Sequence, residues 1–500
     1  MGDTLVPPDA AVSPHRLRLA LAGYVLFACA YFGAGSTWNP VSRFCLTRAV
    51  VEQRSFEITP YVASTGDRAK VGERYYTDKA PVPSMLAVPG YAVFYALARA
   101  GGHAPEFELL PGADARSPRL SVNTVFRYGL WVSSATTAGI AAALLAVAIF
   151  EVLRRRAGVL AGTAGALATV FGTPLLPYAT SFFGHTVAAA FLFGAFALVE
   201  TGPDRLGRRW LLAGASLGLG CGSEYVVAVP AAILAGYLVL NREPGTRWRA
   251  ASSLALGAAL PLAFLAVYHG VCFGAPWRTG YGFIVRPAFA SGHAQGLLGI
   301  TYPKLEALFG ILIGRSRGLF YVAPFTAVAI AAVVVGYFRR RERVLLVVAL
   351  VVGSLLWINA SYYMWTGGWA TGPRHVVPAL GFLGLGAGLA FSWSNAWRRI
   401  AVVIACLSAL SMILTTAVGL ETPPKLDAIF DYLVPQLRAG KIARQPGASN
   451  LGLELGLGRR ASVIPLLTWL SVGAWWLTER ARSIEAARSA SAPEHSRHGS

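Results

Sequence analysis

The feature that most constrains this chain is the recurrence of long apolar stretches along nearly all of its 500 residues. A membrane-spanning α-helix needs about 20 consecutive, mostly apolar residues to cross the hydrocarbon core of a bilayer. Hydrophobic residues make up 55% of the chain and charged residues only 14%, so there is too little polar surface to cover a soluble protein. We therefore predict an integral, all-α polytopic membrane protein.

About twelve segments qualify as transmembrane helices. They are residues 17–36, 126–151, 157–175, 184–201, 209–222, 226–241, 249–273, 318–338, 343–361, 375–393, 398–420 and 462–478. This arrangement places the arginine clusters between spans, such as Arg154–Arg156 and Arg339–Arg341, on the cytoplasmic side, as the positive-inside rule requires. The net charge of +20 is thereby explained by topology, and no nucleic-acid partner is expected.

The apolar stretch 80–100 would be a further span by hydropathy alone. Counting it would invert every later loop and place the arginine clusters outside, and Pro83, Pro89 and Gly90 favour a broken or interfacial helix pair. We therefore predict that 1–420 form a transmembrane domain with long outer loops. The predicted segments are outer loops 37–125 and 274–317, a small outer loop 421–461, a last transmembrane helix 462–482 and a disordered cytoplasmic tail 483–500.

The first outer loop contains the densest polar sequence, beginning near Arg43 and ending in Tyr76-Thr77-Asp78-Lys79-Ala80-Pro81. Asp78 and Lys79 lie where the loop returns to the apolar interface, and charges at that depth are costly unless they are paired or bound. An anionic ligand such as a lipid-linked phosphate would explain the basic residues. Contacts with lipid headgroups and ion pairs within the loop are the alternatives.

Three further outer segments have the composition of a binding site. Glycines allow close approach to a ligand, and tryptophans can stack on sugars or anchor the chain at the interface. Glu224, in a short outer turn, either faces the same region or pairs with an outer arginine. The segments are 274–281 with Arg278, 365–375 with Trp365, Trp369 and Arg374, and the turn before His185. His185 is a candidate base or metal ligand, with a hydrogen-bonded packing role as the alternative.

These features together resemble the GT-C superfamily of glycosyltransferases that use lipid-linked sugars. The resemblance covers roughly residues 15–275 and is carried by the long outer loop, its aromatic-acidic-Lys-Ala-Pro motif and the following juxtamembrane helix. Within the superfamily it is nearest to the branch of protein mannosyltransferases and lipid A aminoarabinose transferases. An arginine heading the second span, Arg119 or Arg127, and the polar turn 177–185 are also similar.

The resemblance implies transfer of a sugar from a polyprenyl-phosphate donor to an extracytoplasmic glycan, lipid or protein at the bacterial inner membrane. It implies that Lys79 holds the phosphate and that Asp78 orients it or binds a divalent metal ion, the one cofactor left open. The remaining candidates for substrate or phosphate binding are Arg43, Arg127, Arg278, Arg374, His185, Tyr76, Trp365 and Trp369.

The chain departs from the family pattern directly after the first span. The family has an acidic pair there that supplies the catalytic base, whereas this sequence has Trp38-Asn39-Pro40. A carboxylate must then come from elsewhere in the outer loop, and the candidates are Asp78, Asp67 and Glu57. A transporter or flippase of lipid-linked sugars, or a non-catalytic scaffold, needs no base and is the alternative function.

Overall fold

The computed structural model describes residues 13–35, 37–103, 124–202 and 207–490. Arg119 and the last ten residues of the predicted tail lie outside these ranges, as does part of the predicted first outer loop.

The described chain is built almost entirely of α-helices, which confirms the predicted all-α class. The first half contains α1 Pro14–Ala30, α2 Trp38–Gln53, α3 Val82–Ala100, α4 Thr124–Ser134, α5 Ile140–Ala157, α6 Val159–Phe171, α7 Leu175–Ala179, α8 His185–Glu200, α9 Arg208–Ser223, α10 Ala228–Leu240 and α11 Arg247–Phe273. A π-helical segment, Ala135–Gly139, joins α4 and α5 into one continuous rod.

The second half contains α12 Pro287–His293, α13 Leu305–Leu312, α14 Leu319–Val322, α15 Phe325–Phe338, α16 Val344–Ser361, α17 Leu380–Ala390, α18 Asn395–Val418, α19 Val434–Arg438, α20 Leu451–Glu454 and α21 Ile464–Ala490. Two antiparallel strand pairs are also present: β1 Phe32–Gly33 with β4 Ser449–Asn450, and β2 Ala69–Val71 with β3 Arg74–Tyr76. Short 3-10 helices, among them Thr59–Ser64 and Arg374–Ala379, and a second π-helical segment, Ala428–Leu433, lie in the connections. The β1–β4 pair joins the end of α1 to a segment more than 400 residues later.

Each of the twelve predicted spans overlaps helical structure, although the first, 17–36, is helical only to Ala30 and then includes strand β1. Five helical segments are long and apolar enough to cross a membrane: Thr124–Ala157, Pro244–Phe273, Val344–Ser361, Asn395–Val418 and Ala461–Arg488. Five shorter apolar helices overlap other predicted spans: Val159–Phe171, His185–Glu200, Tyr225–Leu240, Phe325–Phe338 and Arg374–Ala390. The fold is that of a polytopic membrane protein, and the number of twelve crossings remains a prediction.

The stretch 80–100 forms one helix, α3, and the expected broken pair is wrong. Pro83 lies in the first turn, where its missing N–H costs no intrahelical hydrogen bond, and Pro89 is accommodated inside the helix. The helix is not among the five that are apolar and long enough to span. Its interfacial position remains a prediction.

The last helix also differs from the prediction. Helix α21 continues to Ala490, so residues 483–490 of the predicted disordered tail are helical. Ala486, Ala487 and Ala490 favour a helix in this segment, and the Glu479–Arg482 pair stabilises the turn of α21 that precedes it.

The first loop folds against the helical bundle through its own small hydrophobic core. Phe44 on α2 and Tyr91 on α3 meet edge to face at 5.1 Å, and Tyr268 and Phe273 on α11 pack into the same cluster. Within this core, Arg48 and Glu52 form a charge-assisted pair at 2.6 Å, and the Tyr91 hydroxyl donates to Glu52 at 2.6 Å. The loop is therefore a packed unit that can position side chains toward the bundle.

Candidate active site

A cavity of about 660 Å³ opens where the first loop meets the ends of several helices. Its walls come from the beginning of α2, the turn between β3 and α3, the ends of α8 and α9, and the connections after α11, α16 and α18. Four cations and four carboxylates line it: Arg43, Lys79, Arg286 and Arg374, with Asp67, Asp78, Glu224 and Glu421. Residues from distant parts of the chain thus form one polar site.

Lys79 is held between two carboxylates. Its Nζ lies 2.9 Å from Asp67 and 2.8 Å from Asp78, and all three side chains are largely buried. Burial opposes the charge on Lys79, but the two carboxylates raise the pKa of this ammonium above its ordinary value. Burial, together with the like charge of Asp67, raises the pKa of Asp78 despite the opposite charge of Lys79.

Arg43 joins α2 to two other segments of the site. Its guanidinium donates to the Ala80 carbonyl at 2.9 Å and pairs with Glu224 at 2.7 Å, and it is 1% exposed. His185 Nδ1 lies 3.4 Å from the same Glu224 oxygen without hydrogen-bond geometry. Gly184 permits this approach, because a Cβ there would lie 2.5 Å from Glu224 Oε1.

The connection after α11 packs directly on the Lys79 turn. A Cβ on Gly280 would lie 2.6 Å from the Asp78 Cα, so only glycine fits against this backbone. The following segment adds to the hairpin through the backbone of Ile284, which bridges to Ala69. Tyr281 thereby enters the cavity and stacks on His293 at 4.3 Å, and burial raises the pKa of Tyr281 to about 12.

Arg317 holds together the wall formed by the connections after α16 and α18. The side chain is fully buried, and its five N–H groups donate to oxygens of Ser316, Thr366, Gly368 and Thr422 at 2.6–3.0 Å. Burial lowers the pKa of Arg317 to about 10. An arginine with all its donors bound to neutral oxygens serves as a structural clamp.

Two cations of the cavity form no ion pair with a described residue. Arg374 Nε is buried without a hydrogen-bond partner, beside the backbone of Gly367. Arg286 stacks on the Trp38 ring at 4.7 Å and on Phe289 at 5.2 Å. These guanidinium groups are therefore available to an anionic ligand.

The whole chain is similar to solved structures of ArnT from Cupriavidus metallidurans. Against the ArnT crystal structure bound to undecaprenyl phosphate, the TM-score is 0.54 at 16% identity, covering 96% of this chain and 79% of that chain. Against the apo ArnT structure the TM-score is 0.52 at 16% identity, covering 93% and 75%. No family model and no curated protein sequence matches the chain.

The protein has a GT-C-like fold. The architecture inferred from the first loop and its motif is thereby confirmed. At this level of identity the likeness concerns the fold alone, so the roles of individual residues rest on the geometry of the cavity.

The structure brings seven of the predicted site residues into the cavity and leaves five outside it. Those lining it are Asp67, Asp78, Lys79, Arg43, Arg374, His185 and Trp369. Outside it, Glu57 lies 3.6 Å from Arg74 at the surface, and Arg127 lies 3.4 Å from Glu454. Arg278 is solvent-exposed, Tyr76 packs on Phe273, and Trp365 packs beside Ala360 and Gly310.

These five predicted residues lie outside the cavity for a common physical reason. A residue can belong to a segment that borders the cavity while its side chain points to solvent or to a hydrophobic core. The sequence pattern does not show in which direction a side chain points. Two alternatives were predicted for Glu224, a position facing the site and an ion pair with an outer arginine. The structure has both, since Glu224 lines the cavity and also pairs with Arg43.

Several functional candidates escaped the sequence reasoning, above all Glu421 and Arg286. Glu421 stands just beyond an apolar span, which is the same signal that singled out Arg374. Arg286 is one of several basic residues in its loop and carries no distinguishing sequence signal. Arg286 stacks on Trp38, which is distant in sequence, so only the folded structure shows that it belongs to the site.

Within the described residues, no three or more His, Cys, Asp or Glu side chains converge as a metal-binding group. The divalent metal ion left open by the family resemblance therefore remains an untested prediction.

Proposed function

We propose that the protein is a membrane glycosyltransferase that moves a sugar from a polyprenyl-phosphate donor to an extracytoplasmic glycan, lipid or protein. The observation that carries this proposal is the cavity of the GT-C-like fold, in which Arg374 and Arg286 form no ion pair with any residue that the structure describes. Support also comes from ArnT, a structural neighbour solved in complex with undecaprenyl phosphate.

The donor phosphate would bind at these two guanidinium groups. Planar guanidinium groups bind phosphate oxygens through paired N–H donors, and such charge-assisted bonds are stronger than neutral ones. Lys79 uses two of its three N–H donors on Asp67 and Asp78, which leaves one for a phosphate oxygen. As the sugar leaves, these cations would stabilise the negative charge that develops on the phosphate.

The sugar would lie against the aromatic side chains of the cavity. Tyr281, Tyr362 and Tyr363 line its interior, and Trp369 stands at its rim with 57% of its surface exposed. Aromatic faces suit the apolar faces of sugar rings, and the tyrosine hydroxyls can hydrogen-bond to sugar hydroxyls. We place the cavity on the extracytoplasmic side of the bacterial inner membrane, because the arginine clusters at the other helix ends favour the cytoplasm.

Binding of undecaprenyl phosphate to the purified protein in lipid nanodiscs tests this proposal. Arg374→Gln and Arg286→Gln should each weaken binding about 10- to 100-fold, the effect of losing a charged hydrogen bond. Arg438→Gln, at an exposed arginine outside the cavity, is the matched control and should bind like the wild type.

Release of undecaprenyl phosphate from synthetic undecaprenyl-phosphoryl hexose and pentose donors, measured with a cell-envelope extract that supplies acceptor hydroxyls, then separates the functions. Turnover of at least one donor supports a transferase. Binding without turnover of any donor, combined with trapping of lipid-linked sugar on the cytoplasmic face in a deletion strain, would replace the transferase by the flippase alternative.

A further inference from the structure

Three of the four carboxylates in the cavity are engaged by cations. Asp67 and Asp78 both bind Lys79, and Glu224 binds Arg43 at 2.7 Å. Protonation of a paired carboxylate removes its attraction to the cation. Pairing with a cation therefore disfavours protonation of the carboxylate. Glu421 differs, because it forms no ion pair with any described residue.

Glu421 faces the part of the cavity formed by the beginning of α2. The Thr37 side chain interacts with its carboxylate, and Thr37, Trp38 and Asn39 line the same wall. Residues 37–39 contain no acidic side chain. Glu421 therefore supplies a carboxylate to a wall whose own sequence contains none.

The backbone on both sides of Glu421 is fixed by hydrogen bonds. The Thr371 hydroxyl donates to the Leu420 carbonyl at 2.7 Å, and the Ala370 N–H donates to the Thr422 carbonyl at 3.2 Å. Arg317 donates to both oxygens of Thr422. A side chain held by such a rigid backbone meets the positional requirement for a catalytic group.

We propose that Glu421 is the general base of the transfer reaction, a role that rests on the proposed function. The acceptor hydroxyl oxygen attacks the anomeric carbon of the donor sugar and forms the new C–O bond. The bond from that carbon to the phosphate oxygen breaks, and its electron pair leaves with the polyprenyl phosphate. The hydroxyl proton passes to the Glu421 carboxylate and is later released to solvent.

The electrostatic surroundings agree with this role. Burial raises the pKa of Glu421 to about 7, the Thr37 interaction and the charge of Arg374 lower it, and the charge of Asp67 raises it again. Burial raises the pKa of two nearby phenols, those of Tyr178 and Tyr432, and the negative charge of Glu421 raises it further. A base with a pKa near the working pH is ionised in a large fraction of molecules and still binds a proton well.

Parallel measurements of binding and turnover test the assignment. Glu421→Gln should retain undecaprenyl phosphate binding within about threefold and lose donor turnover about 100- to 10,000-fold, the usual contribution of a general base. Glu421→Asp should recover part of the rate. Glu306→Gln, an exposed glutamate on α13, is the matched control and should turn over like the wild type.

The pH profile gives a readout that a structural role would not produce. Because the base acts when ionised, wild-type turnover should fall as the pH drops through about 7, and the residual turnover of Glu421→Gln should lack this limb. Full turnover in Glu421→Gln, or loss of undecaprenyl phosphate binding in it, overturns the base assignment alone. A wild type that binds undecaprenyl phosphate and turns over no donor overturns the transferase proposal and the base together.

Discussion

At the residue scale, the site depends on a buried ion pair that connects segments 181 residues apart. Arg43 is 1% exposed and Glu224 is 9% exposed, so neither charge is stabilised by much water. Such a pair adds little net stability over an apolar pair, but removing one member leaves the other charge buried without a partner. The Ala80 carbonyl and the nearby His185 depend on the same geometry.

We predict that Arg43→Gln destabilises the protein by about 3–5 kcal/mol, because it leaves Glu224 buried and unpaired. Thermal unfolding of the purified protein in detergent measures this. Lys70→Gln is the control, since the Lys70–Glu73 pair is exposed, and exposed pairs contribute less than about 1 kcal/mol. The double change Arg43→Gln and Glu224→Gln removes the orphaned charge and should be more stable than Arg43→Gln. A double variant less stable than either single variant would contradict this account.

At the element scale, the wall that carries Trp369, Arg374 and Glu421 consists of two connections between helices. These connections run from α16 to α17 and from α18 to α19, and they touch each other through Ala370 and Thr422. Arg317 lies beneath both and bonds to each. The positions of the proposed base, Glu421, and of Arg374 therefore depend on one clamp.

We predict that Arg317→Lys loosens this wall, because lysine has three N–H donors where arginine has five. Each buried carbonyl left without a donor costs about 1–3 kcal/mol. Hydrogen–deuterium exchange should rise in residues 364–372 and 420–424 and stay unchanged in α5 and α8. Arg315→Lys, an exposed arginine two residues away, should leave the exchange unaltered. Equal hydrogen–deuterium exchange in Arg317→Lys and Arg315→Lys would contradict the proposed role of Arg317 in holding this wall together.

At the scale of the whole molecule, the helices separate an apolar middle from two different ends. The exposed side chains of α11 include Leu256, Leu260 and Val267, at 63–80% exposure, as expected for a surface that faces lipid. One end of the bundle holds the cavity and the packed first loop. Near the helix ends at Arg154–Arg156, a smaller cavity of about 490 Å³ is lined by Ala157, Phe391, Arg398, Arg482 and Glu485, and it contains fewer charged side chains.

We predict that His103, just beyond the end of α3, is extracytoplasmic and that Arg155 is cytoplasmic, because only this orientation satisfies the positive-inside rule. Cysteines placed at these exposed positions in a Cys406→Ser background can be labelled with a membrane-impermeant maleimide. His103→Cys should react in intact cells, and Arg155→Cys only after permeabilisation. Protection of position 103 in intact cells would mean that α3 crosses the membrane.

The sequence by itself determined the class of the protein and the location of its apolar helices, but not that of α2 in the first loop. In lipid each helix must satisfy its own backbone hydrogen bonds. The length of an apolar segment therefore predicts a membrane helix without information about the rest of the chain. The Asp78-Lys79 motif was likewise readable, since a charged pair between apolar segments demands a partner or a ligand.

Only the tertiary structure decided which polar side chains share the cavity. Tyr76 and Asp78 are two residues apart, yet Tyr76 turns into the loop core and Asp78 into the cavity. Glu421 reaches Thr37 across 384 positions of sequence, a contact that no local pattern encodes. Whether a carboxylate is paired or free depends on which cation packs beside it, and that is set by how the helices and loops assemble.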